Sequence, residues 1–131
     1  MRLSLLALTL LFAQIPKNNA NGIWESESGT RYEIHQNGPN MQVKLAPGSN
    51  SKYVEYDVIL KNQEEINTYK GTGTFVAKME SGKQCKFDTD WQLVVVSADR
   101  ILGTTTTILA DKNTCAIKEK NQTQLDLKKK K

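Results

Sequence analysis

Few residues in this chain are able to do chemistry, and their spacing limits what they can do. His35 is the only histidine among 131 residues, and Cys85 and Cys115 are the only cysteines. A nucleophile–histidine–carboxylate device needs its imidazole buried against both partners. His35 falls in a strand-like stretch, Thr30 to Gln36, in which Tyr32 and Ile34 form the inner face. Arg31, Glu33 and His35 are therefore expected outside, in solvent. Asp88 and Asp90 make an Asp-x-Asp pair whose hard oxygens suit a divalent cation. On a strand, however, both point outward beside a turn. The sequence supports no catalytic residue, metal site or cofactor, and the expectation is a protein that is not an enzyme.

The two cysteines have a simpler use. A redox-active thiol wants a Cys-x-x-Cys arrangement or an adjacent activating base, and neither is present. An even pair in an exported chain is expected to close as a structural disulfide. Cys85 and Cys115 lie 30 residues apart, a loop whose closure is worth about 3–4 kcal/mol in the chain-entropy model. Export is suggested by Arg2 followed by the apolar run Leu3 to Ala13 and then by a polar Asn-rich stretch, the pattern of a secretory signal peptide. Residues 1–20 read as that leader, 21–127 as the folded domain and 128–131 as a solvated lysine tail. The expected location is secreted or periplasmic. Eleven apolar residues fall short of the ~20 that a membrane-spanning helix needs.

The formal charge of +4 is concentrated at the ends. Without Arg2 and Lys17 there are 16 basic residues against 14 acidic, and without Lys128 to Lys131 as well there are 12 against 14. The body is mildly acidic with mixed signs, which excludes the clustered cationic footprint of a nucleic-acid binder.

The elements that position these residues read as strands. From Gly22 onward apolar residues recur with period two: Met41, Val43 and Leu45 in one run, Val54, Tyr56, Val58 and Leu60 in the next. Turn signals at Ser28-Gly29, Asn37-Gly38-Pro39, Pro47 to Asn50, Asn62 to Glu65, Ser81-Gly82, Ala98-Asp99 and Lys112-Asn113 separate about eight strands. This predicts an all-β fold, an eight-stranded antiparallel up-and-down barrel with one disulfide, since closure removes exposed strand edges. A β-sandwich is the alternative.

Binding residues are sought among inner-face positions that are not apolar. Tyr69, Gly71, Gly73 and Phe75 share one face, and the two glycines are expected to leave space inside the barrel. Gly103, Thr105 and Thr107 extend that small, hydroxylated lining. On the last strand Glu119, Asn121 and Thr123 share parity with Leu125 and Leu127. Either these polar groups line a solvated pocket or a bulge breaks the register. The candidate ligand site is thus Tyr69, Thr105, Thr107, Glu119 and Asn121, with an unknown small molecule as partner. Asn121-Gln122-Thr123 also matches an N-glycosylation sequon, of consequence only in a eukaryotic secretory pathway.

Gly22-Ile23-Trp24, followed by a Ser-Gly turn and Tyr32-x-Ile34, resembles the Gly-x-Trp opening of calycin-type barrels such as avidins and lipocalins, and Thr89-Asp90-Trp91 resembles the lipocalin Thr-Asp-Tyr motif. The resemblance implies a barrel plugged at one end by Trp24 and open to a small ligand at the other. Ser28-Gly29-Thr30-Arg31-Tyr32 is similar to the Ser-Gly-x-x-Tyr motif of bacterial periplasmic inhibitors of C-type lysozymes. That likeness implies an inhibitor of a hydrolase acting through Ser28 and a Lys-Gly loop, for which Lys70-Gly71 is the match. A structural envelope protein is a third possibility. Alkylation of the native, unreduced protein is expected to label no cysteine, and to label two after reduction. A reactive thiol before reduction would rule out the pairing.

Overall fold

The computed structural model describes residues 18–49 and 51–131, so the leader up to residue 17 and Asn50 lie outside the described residues. Every predicted turn separates two strands. The chain runs β1 (Gly22–Ser26), β2 (Arg31–Asn37), β3 (Asn40–Leu45), β4 (Tyr53–Asn62), β5 (Thr68–Lys78), β6 (Gln84–Ser97), β7 (Arg100–Ala110) and β8 (Ile117–Lys129). Each strand pairs antiparallel with the next, and β8 returns to β1, giving a closed barrel of eight strands. No described helix is long and apolar enough to cross a membrane.

Alternation produces this closure. In β6 the odd positions from Cys85 to Val95 are buried and the even positions are exposed over the whole strand. An eight-stranded barrel has an interior just wide enough for side chains to fill. Here Trp24, Ile34, Met41, Leu60, Tyr69, Leu93, Val95, Ile101 and Leu127 fill one end. Six rings, Tyr32, Tyr53, Tyr56, Phe75, Phe87 and Trp91, fill the middle and the approach to the other end. Neighbouring centroids among them lie 5.2–5.6 Å apart, mostly edge to face. That geometry suits the aromatic quadrupole and adds about 0.5–1.5 kcal/mol per pair beyond area burial.

Simple alternation fails in β4. The sequence puts Val54 on the inner face, yet Val54 is exposed and the Tyr53 ring enters the aromatic cluster. A register shift between Tyr53 and Glu55 in the ladder with β5 accounts for this, because one extra residue exchanges the faces on either side of it.

The end of the barrel beside Trp24 is sealed by residues that the sequence assigns to the leader. Ala20 is fully buried, its carbonyl accepts the Trp24 Nε1–H at 2.8 Å, and its own N–H donates to Gln36 Oε1 at 3.0 Å. Asn18 donates from its backbone to Asn67 Oδ1 and from its side-chain amide to the Val95 carbonyl. Asn18 to Asn21 thus close the base and satisfy the one polar atom of the Trp24 side chain. A chain beginning at Asn21 is expected to be about 1–3 kcal/mol less stable than one beginning at Asn18, because the indole N–H loses its acceptor. Equal denaturation midpoints for the two chains would show that the segment closes nothing.

The disulfide joins Cys85 to Cys115, with Cα atoms 5.6 Å apart. Cys85 opens β6, whereas Cys115 lies in the β7–β8 turn at φ +65°, two residues before β8 begins. The tip of that hairpin is also held by Ser81 Oγ–H on the Lys112 carbonyl and by Lys83 Nζ on the Asn113 carbonyl at 3.0 Å.

Candidate functional site

The two ends of the barrel differ because two neighbouring strands differ in length. β1 has 5 residues and β8 has 13, and they pair only through Trp24↔Lys129, Glu25↔Lys128 and Ser26↔Leu127. Beyond Leu127, β8 continues as an arm with β7, while β1 turns back into β2. A hollow of about 820 Å³ lies at this opening. Its inner wall is Thr30, Tyr32, Tyr53, Thr105, Thr107 and Thr123, with Ser28 on the rim. Outward-facing Gln92, Val94, Leu102 and Thr104 border it as well. The hollow therefore wraps the edge of the wall, and its share inside the barrel is smaller than the whole volume.

Hydroxyl groups dominate the lining and bond to one another. Ser26 Oγ and Ser28 Oγ are 2.9 Å apart, Ser28 Oγ and Thr30 Oγ1 3.4 Å, and the Thr30 N–H donates to Ser26 Oγ at 3.2 Å. Across the opening Thr107 bonds to Thr123, and Thr105 bonds to Thr89 at 3.4 Å. Deeper in, Tyr56 OH accepts the Trp91 Nε1–H at 3.1 Å. No buried side-chain nitrogen or oxygen among the described residues lacks a partner. Burial raises the Tyr32 and Tyr56 phenols above their ordinary range and pushes Tyr53 up to about 12, with the neighbouring Tyr56 adding to the shift of Tyr53. All three are neutral phenols at physiological pH, able both to donate and to accept. Among the described residues the ion pair at the border is Arg100 with Asp126 at 3.0 Å.

The structure divides the residues that the sequence grouped as a ligand site. Thr105 and Thr107 line the hollow. Tyr69 is fully buried toward the sealed end, where its hydroxyl accepts the Gln36 Nε2–H. Glu119 and Asn121 do not face the core. Both are exposed on the arm and bond to each other at 2.9 Å, because β8 has already passed the end of β1 at their level. Thr123, sharing their parity, is where the strand rejoins the barrel mouth. Tyr53 and Thr30 belong to the lining and were not singled out by the sequence: Tyr53 is hidden by the β4 register shift, and Thr30 looks like an ordinary strand threonine. Thr123, grouped by parity with Glu119 and Asn121, is the member of that trio that lines the hollow.

Ser28 and Lys70 are also far apart. Ser28 lies in the β1–β2 turn on the rim, and Lys70 points outward from β5, paired with Lys61 and Gln92, four strands round the barrel from β1. His35 is exposed with Nε2 3.2 Å from Glu33 Oε1, and Asp88 and Asp90 are exposed on β6.

The glycines do not make room for a ligand. A Cβ on Gly71 would stand 1.9 Å from the Ile59 carbonyl oxygen, and one on Gly73 would stand 2.0 Å from that of Asp57. Both residues let the β4 backbone approach β5 closely, so what they make room for is main chain. Gly71→Ala is expected to cost at least about 1–3 kcal/mol, the usual penalty of overpacking, measured by chemical denaturation. Unchanged stability would return Gly71 to the role of a void in the lining.

No protein-family model, curated protein or solved structure matches this chain, so what the site can do is carried by its own geometry.

Proposed function

We propose that this protein is a non-enzymatic binding barrel that takes a small, neutral, hydroxyl-rich ligand at its open end. The observation that carries this reading is the contrast between the ends. One is sealed by Asn18 to Ala20 over Trp24. The other opens onto a hollow of roughly the size of small-molecule sites, lined by threonine and serine hydroxyls over the rings of Tyr32 and Tyr53. Hydroxyls that can act as donor or acceptor suit a polyol, which presents both kinds of group. The tyrosine rings supply apolar faces on which a sugar ring or an aromatic ring packs. The charged residues of the lining are the exposed Glu27 and the mutually paired Arg100 and Asp126. A charged ligand that goes deeper would therefore surrender its hydration to neutral phenols without a counter-charge, which is costly. Export with cleavage ahead of Asn18, which keeps the seal, and with the disulfide stapling the hairpin arm fits a binding protein that works outside the reducing cytosol.

Neutral mono- and disaccharides and hydroxylated aromatics are the probes, read by thermal shift and by Trp91 fluorescence. A binder present at 100 times its Kd raises stability by about 2.7 kcal/mol. Thr107→Val is expected to weaken that binder about fivefold to tenfold by removing one hydroxyl from the lining, at little cost to stability because Thr107 is exposed. No stabilisation by any probe, or a binder indifferent to Thr107→Val and Tyr53→Leu alike, would overturn the assignment.

A further inference from the structure

Among the described residues, the early end of β1 leaves one edge of β8 without a neighbour. The direction of its backbone groups follows from two hydrogen bonds: Lys130 N–H donates toward β1, to the Ile23 carbonyl at 2.8 Å, and Lys129 N–H donates toward the other side, to Asp99 at 3.0 Å. Register with β7 is unbroken from Arg100↔Lys128 to Leu109↔Glu119. The N–H and C=O groups of Lys120, Gln122, Gln124 and Asp126 therefore point away from β7. β1 last pairs at Ser26↔Leu127, and residues 117–124 are exposed throughout. Ile117 to Asp126 thus present an open edge about 30 Å long at the usual rise per residue, beside the hollow. Such an edge is a template for another strand.

We propose that this edge pairs with β8 of a second copy of the chain, antiparallel about a two-fold axis through Gln122. Charge and the length of the open edge together narrow the register, and the edge is self-complementary in it. A two-fold axis perpendicular to the sheet keeps the same face up in both copies, so paired residues must share parity. An axis at Lys120 sets lysine against lysine. One at Glu119 sets Glu119 against itself and Lys118 against Lys120. An axis at Gln122 sets Lys118 opposite Asp126, Lys120 opposite Gln124, Asn121 opposite Thr123 and Glu119 opposite Leu125. That register has no like pair and sets Lys118 beside Asp126 at both ends, where Asp126 also holds Arg100 at 3.0 Å. An axis at Thr123 also avoids like pairs but shortens the ladder to residues 120–126, because β1 already holds Leu127. It also places Lys120, Gln122 and Gln124, whose backbone groups are outward, directly across from one another. Lys118 and Lys120, which as edge lysines oppose indiscriminate pairing, disfavour the competing registers. The second copy's Asn121 would stand beside Thr123 of the first, supplying wall to the hollow where β1 is missing. This association goes beyond the ligand reading and does not depend on it.

The test is sedimentation equilibrium of the disulfide-bonded protein from micromolar to submillimolar concentration, with amide hydrogen exchange at both extremes. A reversible dimer is expected, in which the Lys120, Gln122 and Gln124 amides become protected only at high concentration. Gln122→Pro removes an outward N–H and leaves the β7 ladder intact, so it is expected to raise the dimer Kd at least tenfold. Gln122→Lys places two like charges on the axis and is expected to weaken the dimer in a way that added salt partly reverses, an effect a folding defect would not show. A monomer at all concentrations overturns the proposal. So does a dimer insensitive to both variants, or protection of those three amides in the monomer, which would mean that another segment occupies the edge.

Discussion

Everything in this structure depends on how the sheet closes on itself. Six of the eight strand junctions join consecutive strands through ladders of five or more paired residues, whereas the closing junction holds three pairs, Trp24 to Ser26 against Leu127 to Lys129. So short a ladder supplies little hydrogen bonding, and what secures it lies around it. Trp24 is fully buried and hydrogen-bonded to Ala20 on one side, and Lys130 reaches Glu25 at 2.9 Å on the other. The exposed ion pair contributes little. Burial of the indole, worth a few kcal/mol for a side chain of that size, holds the seam. The Gly-x-Trp stretch thus matters here as the closing element of a barrel, independently of any likeness to other barrels.

A short seam at one end obliges the other end to be open. β8 continues for ten residues past its last partner in β1, and with β7 it would be a bare two-stranded hairpin, which is marginal in water. The Cys85–Cys115 bridge and the hydrogen bonds of Ser81 and Lys83 anchor its tip to the β5–β6 turn, and Ile108 and Ala110 pack against the core. The disulfide is best understood as fixing the arm that frames the mouth. That places the bridge beside the proposed site as well as giving it a contribution to stability.

Much of this was legible in the sequence, and the exceptions have physical causes. Seven turn signals and period-two alternation were enough for eight antiparallel strands, because Gly, Asn and Pro mark turns through backbone geometry that no other residue adopts as cheaply. Pairing of the cysteines followed from their number and the absence of activating neighbours. Alternation could not locate Tyr53, since a single inserted residue reverses faces without altering composition. Nor could it show that Glu119 and Asn121 escape the interior. Their parity is correct for an inner face, but the wall they would face ends at Ser26, and strand length is a property of two elements far apart in sequence. Gly71 and Gly73 misled for a related reason, because a missing side chain can admit a ligand or a neighbouring backbone and the sequence does not distinguish the two.

The polarity of the barrel follows the same division. At the sealed end polar atoms are few and each is consumed internally: the Trp24 indole by Ala20, the Tyr69 hydroxyl by Gln36, the Asn18 amide by Val95. At the mouth the hydroxyls bond to other hydroxyls: Ser28 to Ser26 and Thr30, Thr105 to Thr89 and Tyr56, and Thr107 to Thr123. A hydroxyl offers one donor and two acceptor positions, so a hydroxyl satisfied once by a neighbour retains capacity toward whatever enters. Mutual bonding fixes the orientation of these side chains, which for the proposed ligand would lower the entropy lost on binding. A sealed, fully satisfied base and a pre-oriented, partly satisfied mouth are two consequences of one difference in length, five residues in β1 against thirteen in β8.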